Sequence, residues 1–366
     1  MKITKIMKVT TVTVNRTTKG QIIFICLFLA IIMCHMDAHA NVHSEKIVTE
    51  PIHITKDHTT IENITIRYSG SAPPITISNS RDVTLKNIKI IGNGKANGIH
   101  IENSSQIKLN NIDISHTKDG VYLEHVEGVN MRNLSSRNNR YGIHFMYVNH
   151  GELERSVVRN NVTGIMLMVS DNIKITHNKI ADQQVLNATG MTLYKSTDIH
   201  VKNNQFIQNS TALSIQEMTK SQITKNDFER NLNSIEIYQS DIPIQDNRFS
   251  NNISIANIDE QQHQFRDNMY DDPSIMDLDG DGTGDTPKRF SNLLGEAMVK
   301  DTTLNFFQNG PLHILLQWIE DKSITLESGY QDTRPQMLSR NIQLNIWLPI
   351  LLCSVAIILL TLRRIR

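Results

Sequence analysis

A four-residue phrase, a small residue followed by apolar, any and apolar, returns along this chain at a fixed interval, and no other feature limits its fold as tightly. It reads Gly98-Ile99-His100-Ile101, Gly120-Val121-Tyr122-Leu123, Gly142-Ile143-His144-Phe145 and Gly164-Ile165-Met166-Leu167, each 22 residues after the last. The interval widens to 26 residues before Gly190-Met191-Thr192-Leu193, where an insertion around Gln183 to Thr189 must bulge outward, and returns to 22 at Ala212 and Ser234. Self-similarity at such a period marks a repeat architecture, whose units cannot bury an apolar face alone and must stack to do so.

Each unit holds a second alternating stretch, as in Ile107-Lys108-Leu109 and Ile173-Lys174-Ile175, and a third after an Asn, as in Asn178-Lys179-Ile180, Asn204-Gln205-Phe206 and Asn226-Asp227-Phe228. Alternation with period two in Ile, Val and Leu predicts short strands with one buried face, and no unit contains a helical run, which argues against leucine-rich repeats. The fold expected is all-β: a right-handed parallel β-helix of about eight or nine coils over residues 61–268, with three strands of two or three residues per coil. Asn at the corners tolerates left-handed backbone and hydrogen-bonds along the stack, a structural role.

The ends carry different signals. Residues 1–40 read as a signal peptide: Lys2, Lys5, Lys8, Arg16 and Lys19 precede an apolar run from Ile22 to Met33, and Ala38-His39-Ala40 offers a cleavage site, with an uncleaved anchor as the alternative. Residues 342–362 would span about 31 Å as a helix, enough for a bilayer core. Arg363, Arg364 and Arg366 follow, and basic residues stay cytoplasmic, so the intervening domain is expected in the periplasm, anchored to the inner membrane. Cys26, Cys34 and Cys353 all fall in these two segments, so disulfides do not hold the exported domain. Residues 41–60 are expected as an N-terminal cap, 269–290 as an Asp/Gly-rich loop, and 291–340 as a C-terminal cap or partner-docking segment, in which Pro311 opens a helix with Leu312, Leu315, Leu316 and Ile319 on one face. The 37 basic and 37 acidic residues cancel, which leaves no basic face for nucleic acid.

In the repeated phrase the second and fourth residues point inward, so the third and fifth point outward, about 4.8 Å from their equivalents in the next coil. One outward column reads His100, Tyr122, His144, Met166, Thr192, and the column beside it Glu102, Glu124, Met146, Met168, Tyr194. His144, Met146, Met166 and Met168 therefore lie together. Methionine belongs inside, so its appearance outside on adjacent coils beside a histidine asks for a reason. Thioether and imidazole suit Cu(I); a polarizable contact patch for another protein is the other reading.

A second cluster, Asp277, Asp279, Asp281 and Asp285 among glycines, spaces carboxylates as a calcium loop does. Lys288 stands where an EF-hand carries its bidentate Glu, so a variant calcium loop and a metal-free Asp-Gly turn both remain open. The rival functional class is a polysaccharide-binding or -cleaving protein, for which the stacked Glu102 and Glu124 with His100 and His125 are the available groups. No compact Asp, His and Arg group accompanies them, and no enzymatic activity is expected.

Arg140-Tyr141-Gly142-Ile143-His144-Phe145-Met146-Tyr147, Gly164-Ile165-Met166-Leu167-Met168-Val169-Ser170 and the later Asn268-Met269-Tyr270-Asp271-Asp272 with Asp277 to Pro287 resemble the NosD family. The resemblance spans roughly residues 45 to 320. It implies a periplasmic β-helix protein of nitrous oxide reductase maturation that works with an ABC transporter, receives copper from a membrane-tethered chaperone and delivers it towards the reductase apoprotein. His144, Met146 and Met168 match the family's phrases. Met166 stands where the family more often has a small residue, so its part is a geometric inference. A metal-free docking scaffold is the third functional class, distinguished by partner binding that survives copper removal.

Overall fold

The computed structural model describes residues 46–185, 187–258, 264–272, 275–290 and 331–338. The expected signal peptide at 1–40, the Pro311 helix and the spanning segment at 342–362 lie outside the described residues. Among the described residues no helix is long and apolar enough to cross a membrane.

The repeated phrase forms one face of a parallel β-solenoid of about ten turns with a repeat near 22 residues. Its register is unbroken: Ile99 pairs with Val121, Val121 with Ile143, Ile143 with Ile165 and Ile165 with Met191. A second face runs through Ile107, Val129, Gly151 and Ile173, and a third through Val158, Ile180, Phe206 and Phe228. Because side chains alternate along a strand, one register brings every inward residue into a single column. That column is dry: Ile99, Val121, Ile143, Ile165, Met191 and Leu213 are each 0 % exposed.

Close stacking explains the small residue that opens each phrase. A Cβ on Gly120 would lie 2.3 Å from the Gly142 carbonyl oxygen, and one on Gly142 would lie 2.5 Å from that of Gly164.

Two polar ladders line the corners. In one, the backbone N–H of Asn178, Asn204, Asn226 and Asn247 each donates to the side-chain oxygen of the next Asn at 2.9–3.0 Å. The other runs from Asn139 through Asn161, Gln183, Asn209 and Asn231 to Asn252. The two duties expected of a corner Asn are divided here. Asn204, Asn226 and Asn247 take the hydrogen bonds, whereas the residue before each, Asn203, Lys225 and Asp246, takes the left-handed backbone with φ of 56–57°. In the N-terminal coils one Asn does both, as Asn63, Asn87 and Asn111 bond side chain to side chain at positive φ.

The structure corrects three boundaries. Gln183 does not bulge: it is 0 % exposed and stands in the ladder, while Gln184, Val185 and Asn187 carry the insertion outward. Residues 46–60 are not a cap, since Lys46–Val48 and Ile52–Ile54 already pair in register with Ile64–Ile66 and Ile75–Ile77. The coil count rises from eight or nine to about ten for that reason. Several expected short strands also merge around the corners, giving Ile99–Ser115 of 17 residues and Asp119–Arg137 of 19. Single left-handed residues such as His125 and Asn133 turn the corners without interrupting the pairing.

At the C-terminal end, Gln336–Met337 adds one more parallel strand to Met269–Tyr270. Asp332, 0 % exposed, accepts from the Asn268 N–H, the Asn268 side chain and the Tyr270 hydroxyl at 2.8–3.0 Å. A ladder of donors needs a final acceptor, and this carboxylate supplies it. Phe206, Phe228, Phe249 and Tyr270 stack inside the last coils with ring centroids 4.9–5.4 Å apart.

Candidate metal centre

His144 and Met146 belong to the strand Tyr141–Glu154, and Met166 and Met168 to Thr163–Met168. Met166 is the register partner of His144 and Met168 that of Met146, so the four occupy adjoining positions on the first face. Their neighbours Ile143, Phe145, Ile165 and Leu167 are 0 % exposed, which directs the intervening side chains outward. The three methionines are half-buried.

His144 is deeper than an outward position requires, at 7 % exposure. Tyr122, one coil before it, meets its ring edge-on at 4.9 Å, and Tyr141 does so at 5.1 Å. Arg140 lies over the Tyr141 ring at 4.3 Å and sends its guanidinium to the Asp119 carboxylate through two hydrogen bonds of 2.9 Å. Asp119, itself 1 % exposed, lies 3.2 Å from His144 Nδ1. Burial pushes the Asp119 carboxyl up, but the hydrogen bonds from His144 and Arg140 outweigh it and hold the group below its ordinary 3.8. Burial, aided by a 3.1 Å hydrogen bond to Glu124, pushes the Tyr122 hydroxyl up to about 12.

His144 Nε2 is buried and has no hydrogen-bond partner. An ionised carboxylate only accepts, so in the neutral form of the ring Nδ1 is the protonated nitrogen and Nε2 carries a lone pair. A histidine that gives one nitrogen to a carboxylate and leaves the other free has the arrangement of a metal ligand with its supporting partner. The three methionines at the adjoining register positions carry thioethers, and thioether with imidazole is a donor type suited to Cu(I), so the residue types fit this ion.

Asp119 is not among the residues singled out in the sequence and Arg140 enters there only through the family-like phrase; with His144 they form a compact Asp, His and Arg group that the sequence reading did not expect. Asp119 occupies the position before Gly120, in a column that reads Asn97, Asp119, Tyr141, Thr163 and Thr189. A lone acid in that column, one coil from a histidine, was the available signal.

The other candidate groups have local partners. Glu102 and Glu124 are stacked in register, but Glu102 accepts from Ser78 at 2.9 Å and lies 3.5 Å from His100, and Glu124 accepts from Tyr122. His125 stacks flat on Tyr147 at 4.7 Å instead of joining the acids. Asp277, Asp279 and Asp281 bring carboxylate oxygens within 4.8 Å of one another, all exposed. Asp285 is not in that group; it accepts from the Leu278 N–H at 2.6 Å and closes the loop. Asp277 accepts from the N–H groups of Gly282 and Gly280, the bond from Gly282 being the main cause that holds its carboxyl below the usual range. These turn amides serve the carboxylates as a metal-free Asp-Gly turn does.

The fold is a parallel β-solenoid whose first face carries a histidine and three methionines at adjoining outward positions. The chain belongs to the NosD family of periplasmic copper-binding proteins, whose family model matches residues 75–278. The family is described as periplasmic and copper-binding. No curated protein matches the chain. Among solved structures it is similar to the enzymatically active domain of bacteriophage CBA120 tailspike protein 2, at 12 % identity and a TM-score of 0.45, over 62 % of this chain and 43 % of that one. It is also similar to the Streptococcus pneumoniae adhesin PfbA, at 11 % identity and a TM-score of 0.37, over 61 % of this chain and 73 % of that one. A third similarity is to the A-module of the Azotobacter vinelandii mannuronan C-5 epimerase AlgE6, at 14 % identity and a TM-score of 0.36, over 54 % of this chain and 64 % of that one. The chain spans less than half the length of the tailspike domain.

Proposed function

We propose that this chain carries Cu(I) on the outer face of its solenoid and passes it towards the nitrous oxide reductase apoprotein. His144 Nε2, with the thioethers of Met146, Met166 and Met168, forms the docking point for the ion. The observation that supports this most directly is the buried, unpartnered Nε2 beside three outward methionines. Copper arrives from a membrane-tethered chaperone and the chain works beside an ABC transporter, with 1–40 directing export and 342–362 anchoring the protein in the inner membrane. A right-handed coil, as in the sequence-based expectation, belongs to the same reading. The Asp277, Asp279 and Asp281 turn is kept as a candidate calcium loop with a structural role, without Asp285.

Titration of the full-length protein with Cu(I) against a competing chelator tests the site. His144→Ala is expected to weaken binding by more than about 100-fold, beyond the range seen when only a supporting partner is lost. Met146→Ala, Met166→Ala and Met168→Ala should each weaken it less, since a remaining thioether can substitute. Unchanged affinity in all four variants would remove the site and leave a docking scaffold.

A further inference from the structure

The carboxylate of Asp119 is 1 % exposed among half-buried outward neighbours, and three donors converge on it. We infer that Asp119 is the positioning residue of this site: it fixes the His144 ring as the tautomer protonated on Nδ1, so that Nε2 offers its lone pair to a soft metal ion. Arg140 holds Asp119 in that task. The inference rests on the copper reading above.

An isolated buried carboxylate is costly, and this one is made tolerable by the paired guanidinium bonds of Arg140. Those bonds also orient it. Oδ2, which also accepts from Arg140 Nη2 at 2.9 Å, faces His144 Nδ1 at 3.2 Å, and as an acceptor it demands a proton there. The opposite tautomer would set Nδ1 and Oδ2 lone pair against lone pair and bury an unpaired Nε2–H, which loses its hydrogen bond to water with nothing in return. Tyr122 and Tyr141, edge-on at 4.9 and 5.1 Å, oppose rotation of the ring. Arg140 spans both parts, bonding Asp119 while its charge lies over Tyr141. The tautomer is thus set before metal arrives, and no proton has to move within the ring during capture or release.

The test separates this inference from the copper reading by using a measurement that needs no metal. Imidazole nitrogen chemical shifts of the copper-free, 15N-histidine-labelled full chain, with the His144 signals identified by their loss in His144→Gln, should show a protonated Nδ1 and a bare Nε2. A protonated Nε2 in the wild type overturns the inference at once, whatever the variants do. In Asp119→Leu, which keeps the side-chain bulk and removes the acceptor, Nδ1 should lose its claim on the proton and the Nε2-protonated tautomer should appear. Cu(I) affinity should then fall about 10–100-fold, while Asp119→Glu, which restores an acceptor, recovers part of it. If His144→Ala weakens copper binding but Asp119→Leu changes neither tautomer nor affinity, the positioning role is wrong and the copper site stands. If His144→Ala leaves copper binding unchanged, the copper site is wrong, and the copper-free shifts still decide the tautomer. A purely structural Asp119 predicts lower thermal stability without a tautomer change.

Discussion

The Asn and Phe ladders of the last coils and the outward face around His144 are built on the same register, yet they use it in opposite ways. From Asn178 to Asn268 each coil repeats the residue below it, and every ladder N–H finds an acceptor, down to Asp332 at the end. Along the first face the column changes at each step, from His100 to Tyr122 to His144 to Met166, and it holds a buried nitrogen with no partner. Repetition lets identical groups satisfy one another indefinitely. A site needs a local exception, where unlike groups meet once and one valence is left over. Stability therefore concentrates in the ladders, and chemistry where the ladder pattern is broken.

The largest test of this contrast removes a rung. Asn226→Ala deletes the acceptor of the Asn204 N–H and the donors to the Val201 carbonyl and Asn247. It should destabilise the fold by about 3 kcal/mol, read by denaturant unfolding, with Cu(I) affinity unchanged. A change in copper binding would show that the two regions are coupled.

Acid should act on the other region first. Asp119 is held below its ordinary 3.8, so the stability it contributes is fully present above that value and is lost as the pH falls through the lower folded value. Thermal unfolding followed from about pH 5 to about pH 2 should show the wild type's advantage over Asp119→Asn shrinking across the lower part of that range. A constant difference would mean that the Asp119 charge is not what stabilises the site.

The smallest expected effect concerns Val169, which follows Met168 at φ 48° and is 39 % exposed. A β-branched residue rarely adopts left-handed backbone, and the strain is of the order of 1–2 kcal/mol. Val169→Asn should raise stability by about 1 kcal/mol, measured by the same unfolding curves, without altering Cu(I) binding. A loss of stability would assign Val169 a packing role beside the methionines.

Much of this architecture was readable in advance because a period of 22 and an alternation of two are properties of the chain itself. They were sufficient for the parallel solenoid, the inward columns and the adjacency of His144, Met146, Met166 and Met168. Boundaries fared worse. Gln183 looked like part of an insertion because it is not Asn, yet its amide makes the same ladder bonds across one more methylene. Residues 46–60 lack the phrase and still pair as a coil, since backbone hydrogen bonds ask for extended chain and not for a motif. Asp285 looked equivalent to its neighbours by spacing, but the loop turns it to an amide of its own. Asp119 was missed because its link to His144 crosses 25 positions and one coil, joining two columns that no single alternating pattern contains.

The amino-acid order alone determined which residues stack on which, because a slip of one position would turn every Ile and Leu out to solvent. It did not determine depth or valence. That His144 is enclosed by two tyrosine rings, that a buried carboxylate claims its Nδ1, and that Nε2 is left bare all depend on distances between neighbouring coils, and those exist only once the turns are packed.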